Sequence, residues 1–252
     1  MGQSQVRLFT FGCSFTRYHR WPTWADILAQ QVDHYQNWGL QGTGNTYILN
    51  SIIEAHQRNN FSKDDSIYVM WTSTGREDRY LRNEWTTLGS IYWQDMLPKE
   101  YVKRWTCDRG YIIRDLANIT VAKHMLEAIG CRYEFMSMVP LDKTSYQNGL
   151  GYNPDNTKDD NQDIFDLYRP TLDDIHPSVY ETVFNNDWNR PTGMFNPQDD
   201  QMDLHPTPKE HLMYLDWVLP NLIEDETWAL DWEDAVRNGD KSWKEVDKPL
   251  RL

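Results

Sequence analysis

Strand-like and helix-like segments alternate along this chain, and this alternation is what most constrains its fold. Four runs have the length and composition of strands, and they span 6–11, 32–37, 65–71 and 132–139. Helical patterns separate and follow them. The clearest pattern covers 111–129, where an apolar stripe ends at Gly130. Such alternation predicts a mostly parallel sheet covered by helices on both faces.

The length of 252 residues suits one large domain. We predict a domain over 1–222, interrupted by insertions at about 76–110 and 141–200. The first insertion is charged and rich in tryptophan without a clear period, so we expect an irregular segment with one helix. The second is rich in Asp, Asn, Pro and Gly without a period, which is typical of a lid or a mobile loop. Residues 223–252 are predicted to form an acidic C-terminal arm that contains tryptophans.

Composition narrows the possible partners. The net charge of −13 disfavours nucleic acid and anionic membranes as binding partners. Three cysteines without CxxC spacing indicate no disulfide framework. Because no run resembles a signal peptide or a transmembrane helix, a cytoplasmic protein is expected. A virion protein, also made in a cytoplasm, would have the same composition, and the oligomeric state is left open.

The first predicted strand ends in a turn that can present a nucleophile. Ser14 follows Gly12 just beyond the carboxyl end of this strand, where open α/β sheets bind their ligands. A serine there can act as a nucleophile if a base and an oxyanion site are close by. Glycine and serine after a strand are also ordinary turn residues, so this turn alone does not define a site.

A second glycine-rich turn follows the second predicted strand, at 39–45. Its Gly-x-x-Gly spacing is compatible with a phosphate cradle. It lacks the Lys-Ser/Thr pair of a P-loop and the third glycine of a dinucleotide-binding turn. Both nucleotide-binding interpretations are therefore rejected.

A histidine stands immediately before the last predicted helix. His205 has a carboxylate two residues upstream, Asp203, which can hold the imidazole in one tautomer as a general base. A histidine here can equally be a loop or capping residue. A metal site formed by Asp203, His205 and His211 is another interpretation, but the HxxxH spacing of a helical zinc site is absent. No metal is predicted.

Taken together, these segments resemble the SGNH, or GDSL-type, hydrolases. Residues 12–16, Gly-Cys-Ser-Phe-Thr, are similar to the first sequence block of that family, 37–42 to the second and 203–206 to the last. Residues 24–28 match the helix after the nucleophile. The matches bracket 6–219 in the family's order, whereas the insertions match nothing. The resemblance implies a flavodoxin-like, three-layer α/β/α sandwich and ester hydrolysis by a Ser-His-Asp triad without a cofactor.

By position in these blocks, the resemblance makes Ser14 the nucleophile, His205 the general base and Asp203 the residue that orients the base. The backbone N–H groups of Ser14 and Gly42 would line the oxyanion hole. The expected substrate is a small-molecule or glycan ester, with a small acyl group such as acetyl on a carbohydrate.

The chain departs from the family pattern in three places. Cys13 replaces the usual aspartate, which makes a thiol nucleophile an alternative. The acid lies two residues before His205 instead of three. The third block, Gly-x-Asn-Asp in the family, has no asparagine here. Ser73, Thr74 or Arg76 could replace that donor, and we favour Ser73 or Arg76.

The missing asparagine bears directly on activity, because loss of one oxyanion donor typically lowers the rate about 10²–10³-fold. The chain is therefore predicted to be a serine esterase, slow or altered if the donor is not replaced. The alternative is a catalytically degenerate module that binds a partner or serves as a virion-associated structural protein. The form of the third block and the insertions also resemble phage-encoded versions of the superfamily.

Overall fold

The computed structural model describes residues 6–92, 97–150, 161–192, 194–196 and 201–239. Its strands are β1 (Arg7–Phe11), β2 (His34–Asn37), β3 (Asp65–Trp71), β4 (Arg76–Leu81), β5 (Glu84–Ser90), β6 (Arg132–Ser137), β7 (Phe195–Asn196) and β8 (Gln201–Met202). Its helices are α1 (Trp24–Ala29), α2 (Asn45–Asn59), α3 (Lys99–Trp105), α4 (Asp108–Ile129), α5 (Gln162–Leu167), α6 (Arg169–Leu172), α7 (Val179–Thr182), α8 (Pro208–Val218) and α9 (Thr227–Asn238).

The central sheet has four parallel strands in the order β2-β1-β3-β6. The register pairs Phe11 with Val69 and Trp71 with Ser137, so the carboxyl ends of the strands share one edge of the sheet. This order is that of the first four strands of a flavodoxin-like sheet. The prediction of a mostly parallel sheet is confirmed.

A single residue occupies the place of the fifth strand of a flavodoxin-like sheet. Ile175 forms an isolated parallel bridge to Phe135. The next residue, His176, donates its backbone N–H to the Phe135 carbonyl oxygen at 2.8 Å. The chain then enters α7, so β6 is only briefly paired along its outer side.

Alternate side chains of the strands face two separate helical layers. On one face, the buried side chains that pack against α2 and α4 are Phe9, Phe11, Ile67, Val69, Trp71 and Phe135. On the other face, those that pack against α1 and α8 are Leu8, Tyr68, Met70 and Met136. Because both faces are covered, the strands lack the polar alternation of a half-exposed sheet. The predicted three-layer α/β/α sandwich is confirmed.

The first insertion contains more regular structure than its sequence indicates. Strands β4 and β5 form an antiparallel hairpin, and α3 follows them. The two turn residues, Arg82 and Asn83, have φ angles of 54° and 64°, as a tight hairpin turn requires. None of the strand residues of the hairpin is fully buried, so it has no apolar period, and the expectation of an irregular segment was wrong here. Residues 93–96 lie outside the described part of the insertion.

The second insertion is not the long loop that its composition predicts. Within it, residues 161–192 contain α5, α6 and α7 and bury Ile164, Phe165, Val179 and Phe184. These helices have four to six residues each, which is too short to show a helical period in the sequence. Residues 151–160, 193 and 197–200 lie outside the described part.

The predicted C-terminal arm begins with α9, which packs against α8. Ala229 is buried against the α8 side of the core. Glu233 accepts a hydrogen bond from the backbone N–H of Lys209 at 3.0 Å, and Arg237 donates to the carbonyl oxygen of Thr192 at 2.9 Å. Residues 240–252 lie outside the described part, and the division at 222 stays a prediction. None of the described helices is long and apolar enough to cross a membrane.

Candidate active site

The turn after β1 exposes one serine among buried neighbours. Gly12 has a φ of +154°, and a Cβ there would lie 2.1 Å from Thr16 Oγ1 and 2.8 Å from the Met70 carbonyl oxygen. Only glycine lets the chain pass so close. The Thr16 N–H then closes the turn on the Cys13 carbonyl oxygen at 2.9 Å. Ser14, at the tip, is half-buried, whereas the residues on either side of it are buried.

Hydrogen bonds tie the second glycine-rich turn to this one. The Leu40 N–H donates to the Gly12 carbonyl oxygen at 3.0 Å, and the Asn37 side chain donates to the Thr16 carbonyl oxygen at 2.9 Å. Gly42 follows, with a φ of +71°. Among the described residues, neither the Ser14 N–H nor the Gly42 N–H has a hydrogen-bond partner. No described residue therefore occupies either predicted oxyanion donor.

The structure brings Asp203 and His205 together. Asp203 Oδ1 accepts hydrogen bonds from His205 Nδ1 at 2.8 Å and from the His205 backbone N–H at 3.0 Å. The carboxylate is almost fully buried, while the imidazole is about a third exposed (side-chain values of 3% and 31%). A spacing of two residues therefore lets Asp203 bind the imidazole, because Oδ1 reaches both the backbone nitrogen and Nδ1 of His205.

Two residues that the sequence did not indicate hold the other carboxylate oxygen. The Tyr18 hydroxyl donates to Asp203 Oδ2, and Arg20 Nη1 donates to the same atom at 2.8 Å. Burial alone would raise the pKa of Asp203, but the hydrogen bonds from His205 and Tyr18 outweigh it and hold this pKa well below its usual range. Asp203 is thus a carboxylate, Nδ1 of His205 carries a proton, and Nε2 can accept one.

Aromatic rings enclose the imidazole of His205. The Tyr18 ring stacks on it with centroids 4.1 Å apart, and the Phe15 ring meets it edge-on at 5.8 Å. Because Phe15 directly follows Ser14, this contact brings the histidine beside the turn after β1. Ser14 Oγ makes no hydrogen bond to any described residue, His205 included. Hydrogen bonds between nucleophile and base are often loose without substrate.

The loop after β3 supplies an arginine where the family pattern has its asparagine. Arg76 Nε donates to Ser73 Oγ at 3.1 Å and Nη1 to the Thr43 carbonyl oxygen at 2.9 Å. Its guanidinium therefore lies at the Thr43 carbonyl, one residue after Gly42, and links the loops after β2 and β3. Thr74, the third candidate, pairs instead with Ser145, whose hydroxyl donates to the Thr74 carbonyl oxygen at 2.6 Å.

The side chain of Cys13 is buried, with its Sγ 4.0 Å from the sulfur of Met138. The thiol therefore faces the core, and Ser14 is the exposed residue of the pair. The Met138 sulfur also lies 3.6 Å from Arg76 Nη2. Met138 thus links the turn after β1 to Arg76 at the edge of the sheet.

The third residue of the metal interpretation, His211, is fully buried in α8. Burial, followed by the nearby charges of His205 and Arg190, lowers the pKa of His211 to about 3, so this ring is neutral. Among the described residues, no three side chains of metal-binding type are grouped as ligands.

Comparisons with known proteins give matches only among solved structures. No protein-family profile and no curated protein matches the sequence. The crystal structure of TesA is similar with a TM-score of 0.47 and 11% identity, over 86% of this chain and 99% of that one. A lipolytic protein of the G-D-S-L family from Veillonella parvula has a TM-score of 0.43 and 13% identity, over 87% of this chain and 100% of that one. The psychrotrophic esterase EstA from Pseudoalteromonas has a TM-score of 0.45 and 10% identity, over 85% of this chain and 97% of that one.

The structural neighbours thus include GDSL-type hydrolases and esterases, all at low sequence identity. This is the family that the sequence motifs resemble. The fold of the chain is defined independently of these neighbours, by its strand order and its two covered faces.

Proposed function

We propose that this protein is a serine ester hydrolase that uses Ser14 as nucleophile, His205 as general base and Asp203 to orient the base. One observation carries the proposal: a buried carboxylate holds the His205 imidazole, with Nε2 left to accept a proton, beside the half-buried serine of the β1 turn. This is the arrangement of groups that serine hydrolysis needs, on the edge of the sheet where α/β folds bind ligands.

In the proposed reaction, Ser14 Oγ attacks the acyl carbonyl carbon while His205 Nε2 takes the hydroxyl proton. The tetrahedral intermediate then collapses, the bond to the alcohol oxygen breaks, and His205 returns the proton to the leaving alcohol. A water molecule, deprotonated by His205, then attacks the acyl carbon. The bond to Ser14 Oγ breaks, His205 returns the proton to that oxygen, and the acid leaves. Asp203 remains ionised throughout and stabilises the imidazolium.

The developing oxyanion needs donors that are already in place. The unpaired N–H groups of Ser14 and Gly42 are two of them. We assign the third to Arg76, because an arginine has five N–H groups and its contacts with Ser73, Thr43 and Met138 use three. Ser73 holds the guanidinium in place, so both residues favoured from the sequence contribute.

We infer a glycan ester with a small acyl group as the substrate class, because the rim of the site is polar. Gln41 Nε2 lies 2.9 Å from His19 Nδ1, and Thr87 Oγ1 donates to the Gln41 carbonyl oxygen at 2.7 Å. His19 also touches the Tyr18 ring, at 4.8 Å between centroids. This rim therefore runs from the base to the oxyanion turn, and its hydrogen-bonding groups suit a hydroxyl-rich alcohol better than a fatty chain.

Labelling with a fluorophosphonate tests the proposal. We expect the wild type to be labelled at Ser14 and to hydrolyse p-nitrophenyl acetate and acetylated sugars, since the probe reacts with an activated serine. Ser14→Ala should abolish both. Ser66→Ala is the matched control, because Ser66 is a half-buried serine at the start of β3, on the opposite edge of the sheet. It should retain full labelling.

The alternative, a degenerate binding or virion-associated module, predicts a different result. Wild-type protein would then remain unlabelled at Ser14 and would release no more nitrophenol than Ser14→Ala does. Equal turnover by the wild type and Ser14→Ala would end the hydrolase proposal.

A further inference from the structure

We propose that Tyr18 and Arg20 are positioning residues for the base: together they fix the Asp203 carboxylate so that its other oxygen stays on His205. The inference rests on the proposed function for its catalytic consequence, but the contacts on which it stands are independent of Ser14. Both residues come from the segment that follows the nucleophile turn, so one short piece of chain carries Ser14 and holds the base.

The carboxylate of Asp203 has all its acceptor positions filled. A carboxylate offers about four lone-pair positions. Oδ1 receives the two donors of His205, and Oδ2 receives the Tyr18 hydroxyl and Arg20 Nη1. The two sides of the group are thus held by different segments, and rotation about the Cβ–Cγ bond would break all four contacts.

Tyr18 and Arg20 together form a clamp on Oδ2 of Asp203. The clamp compensates for the short, two-residue spacing between Asp203 and His205. An aspartate so close in sequence bonds the backbone N–H of His205 as an ordinary turn does. That bond alone does not fix the direction of the carboxylate toward Nδ1. With Tyr18 and Arg20 on Oδ2, the remaining oxygen is directed at the ring. The ion pair with Arg20 also favours the charged form of this buried acid (side-chain exposures of 21% and 3%).

The same segment fixes the imidazole and its loop. The Tyr18 ring lies nearly parallel to the His205 ring, with 21° between their planes. Trp21 Nε1 donates to the Pro206 carbonyl oxygen at 2.8 Å, directly after the histidine. The other charged or titratable groups that face the pair are Arg190, which donates to the His205 carbonyl oxygen and pairs with Glu210, and the buried His211.

Two variants and their combination test the clamp: Tyr18→Phe, which keeps the ring stack, Arg20→Gln, and the double variant. We expect each single change to lower kcat about tenfold with little change in KM, because the base is less well oriented. The acidic limb of the kcat/KM profile should move to lower pH, because a carboxylate that is no longer held on Nδ1 stabilises the imidazolium less. In the double variant, the fold-decrease in kcat should be smaller than the product of the two single decreases, since both residues bind the same oxygen, Oδ2.

Matched controls separate this role from general stability. Arg7→Gln breaks an ion pair with another buried carboxylate, Asp65, at the opposite edge of the sheet. Tyr92→Phe removes a hydroxyl that donates to Asp108. Both should leave kcat and the pH profile unchanged. Urea unfolding of every variant shows that the folded protein is being compared.

A proton NMR spectrum provides a readout that does not need turnover. The Nδ1–H of His205, bonded to a carboxylate, should give a downfield resonance in the wild type and in Ser14→Ala. We expect it to weaken or move upfield in Tyr18→Phe and Arg20→Gln. An unchanged resonance together with an unchanged acidic limb in both variants would overturn the clamp. If the wild type is inactive, the resonance alone decides between the same two outcomes.

Discussion

Arg76 is the residue whose side chain most directly tests the oxyanion site. Its guanidinium bridges the loops after β2 and β3, and it brings a positive charge to the Thr43 carbonyl, one residue after Gly42. We expect Arg76→Met to lower kcat about 10²–10³-fold, the usual cost of one oxyanion donor. Arg76→Lys should recover only part of the rate, because an ammonium group cannot reproduce the planar fork. Steady-state hydrolysis of an acetyl ester measures both.

Arg79 provides the comparison for Arg76, since it lies in the same hairpin but is exposed and donates to the Tyr101 hydroxyl. Arg79→Met should hydrolyse the ester like the wild type. If Arg76→Met were as fast as Arg79→Met, the third donor would have to come from another group.

The sequence allowed prediction of those site residues that stand at strand ends or directly before a helix. Ser14 and His205 could be chosen because their residue types recur at such positions in hydrolases. Tyr18 and Arg20 could not, because they meet Asp203 across more than 180 positions of chain and belong to no local pattern. Contacts of that kind are set by how the layers pack, which a single sequence does not state.

At the scale of elements, prediction succeeded where apolar residues follow a period over several turns. Strands β1, β3 and β6 and helix α4 have buried stripes that are visible in the sequence. The hairpin of β4 and β5 has mostly exposed or half-buried residues, and α5 to α7 are short, so neither shows a period. These segments are stabilised by packing against neighbouring elements, and the local sequence does not show which elements those are.

The N-terminal cap of α8 stabilises the helix and also lies close to His205 in the candidate active site. Thr207 Oγ1 accepts the Glu210 N–H at 3.3 Å, and the Glu210 carboxylate accepts the Thr207 N–H at 2.9 Å. We expect Thr207→Ala to cost about 1 kcal/mol of unfolding free energy, as for other N-caps. It should also lower kcat, because His205 lies two residues before the cap. Urea unfolding and ester hydrolysis measure the two effects.

Ser178 is the matched cap, with an equivalent capping box at the start of α7. Ser178→Ala should lose a similar amount of stability and keep the wild-type kcat. A Thr207→Ala variant with an unchanged kcat would show that the cap of α8 does not position the base.

For the whole molecule, buried titratable groups make stability depend on pH in opposing ways. Burial raises the pKa of Asp26 and of Asp115 to about 6, although hydrogen bonds at each site act against it. Their stabilising contribution is complete below the unfolded pKa of about 3.9 and is lost as pH rises through about 6. His211 acts in the reverse direction, because its pKa is lowered on folding to about 3.

His211 gives the last prediction, because its Nδ1 is buried without a hydrogen-bond partner among the described residues. A histidine whose pKa falls on folding contributes stability above its unfolded pKa of about 6.5, and this is lost as pH falls through the folded value. Between pH 6.5 and 4.5, we expect the wild type to lose roughly 2–3 kcal/mol relative to His211→Leu, measured by urea unfolding at each pH. Comparing the two proteins cancels the effects of Asp26 and Asp115.

The control for this comparison is His124→Gln, which changes an exposed histidine on α4. Its unfolding free energy should stay within about 0.5 kcal/mol of the wild-type value at every pH. The reason is that the partner of His124, Glu127, lies on the exposed surface of α4, where ion pairs contribute little. If the difference in unfolding free energy between the wild type and His211→Leu did not change with pH either, His211 would have to accept a proton while the protein stays folded. The core beside α8 would then have to admit a charge, and the packing of α8 against the sheet would be looser than the buried Leu212, Tyr214 and Leu215 indicate.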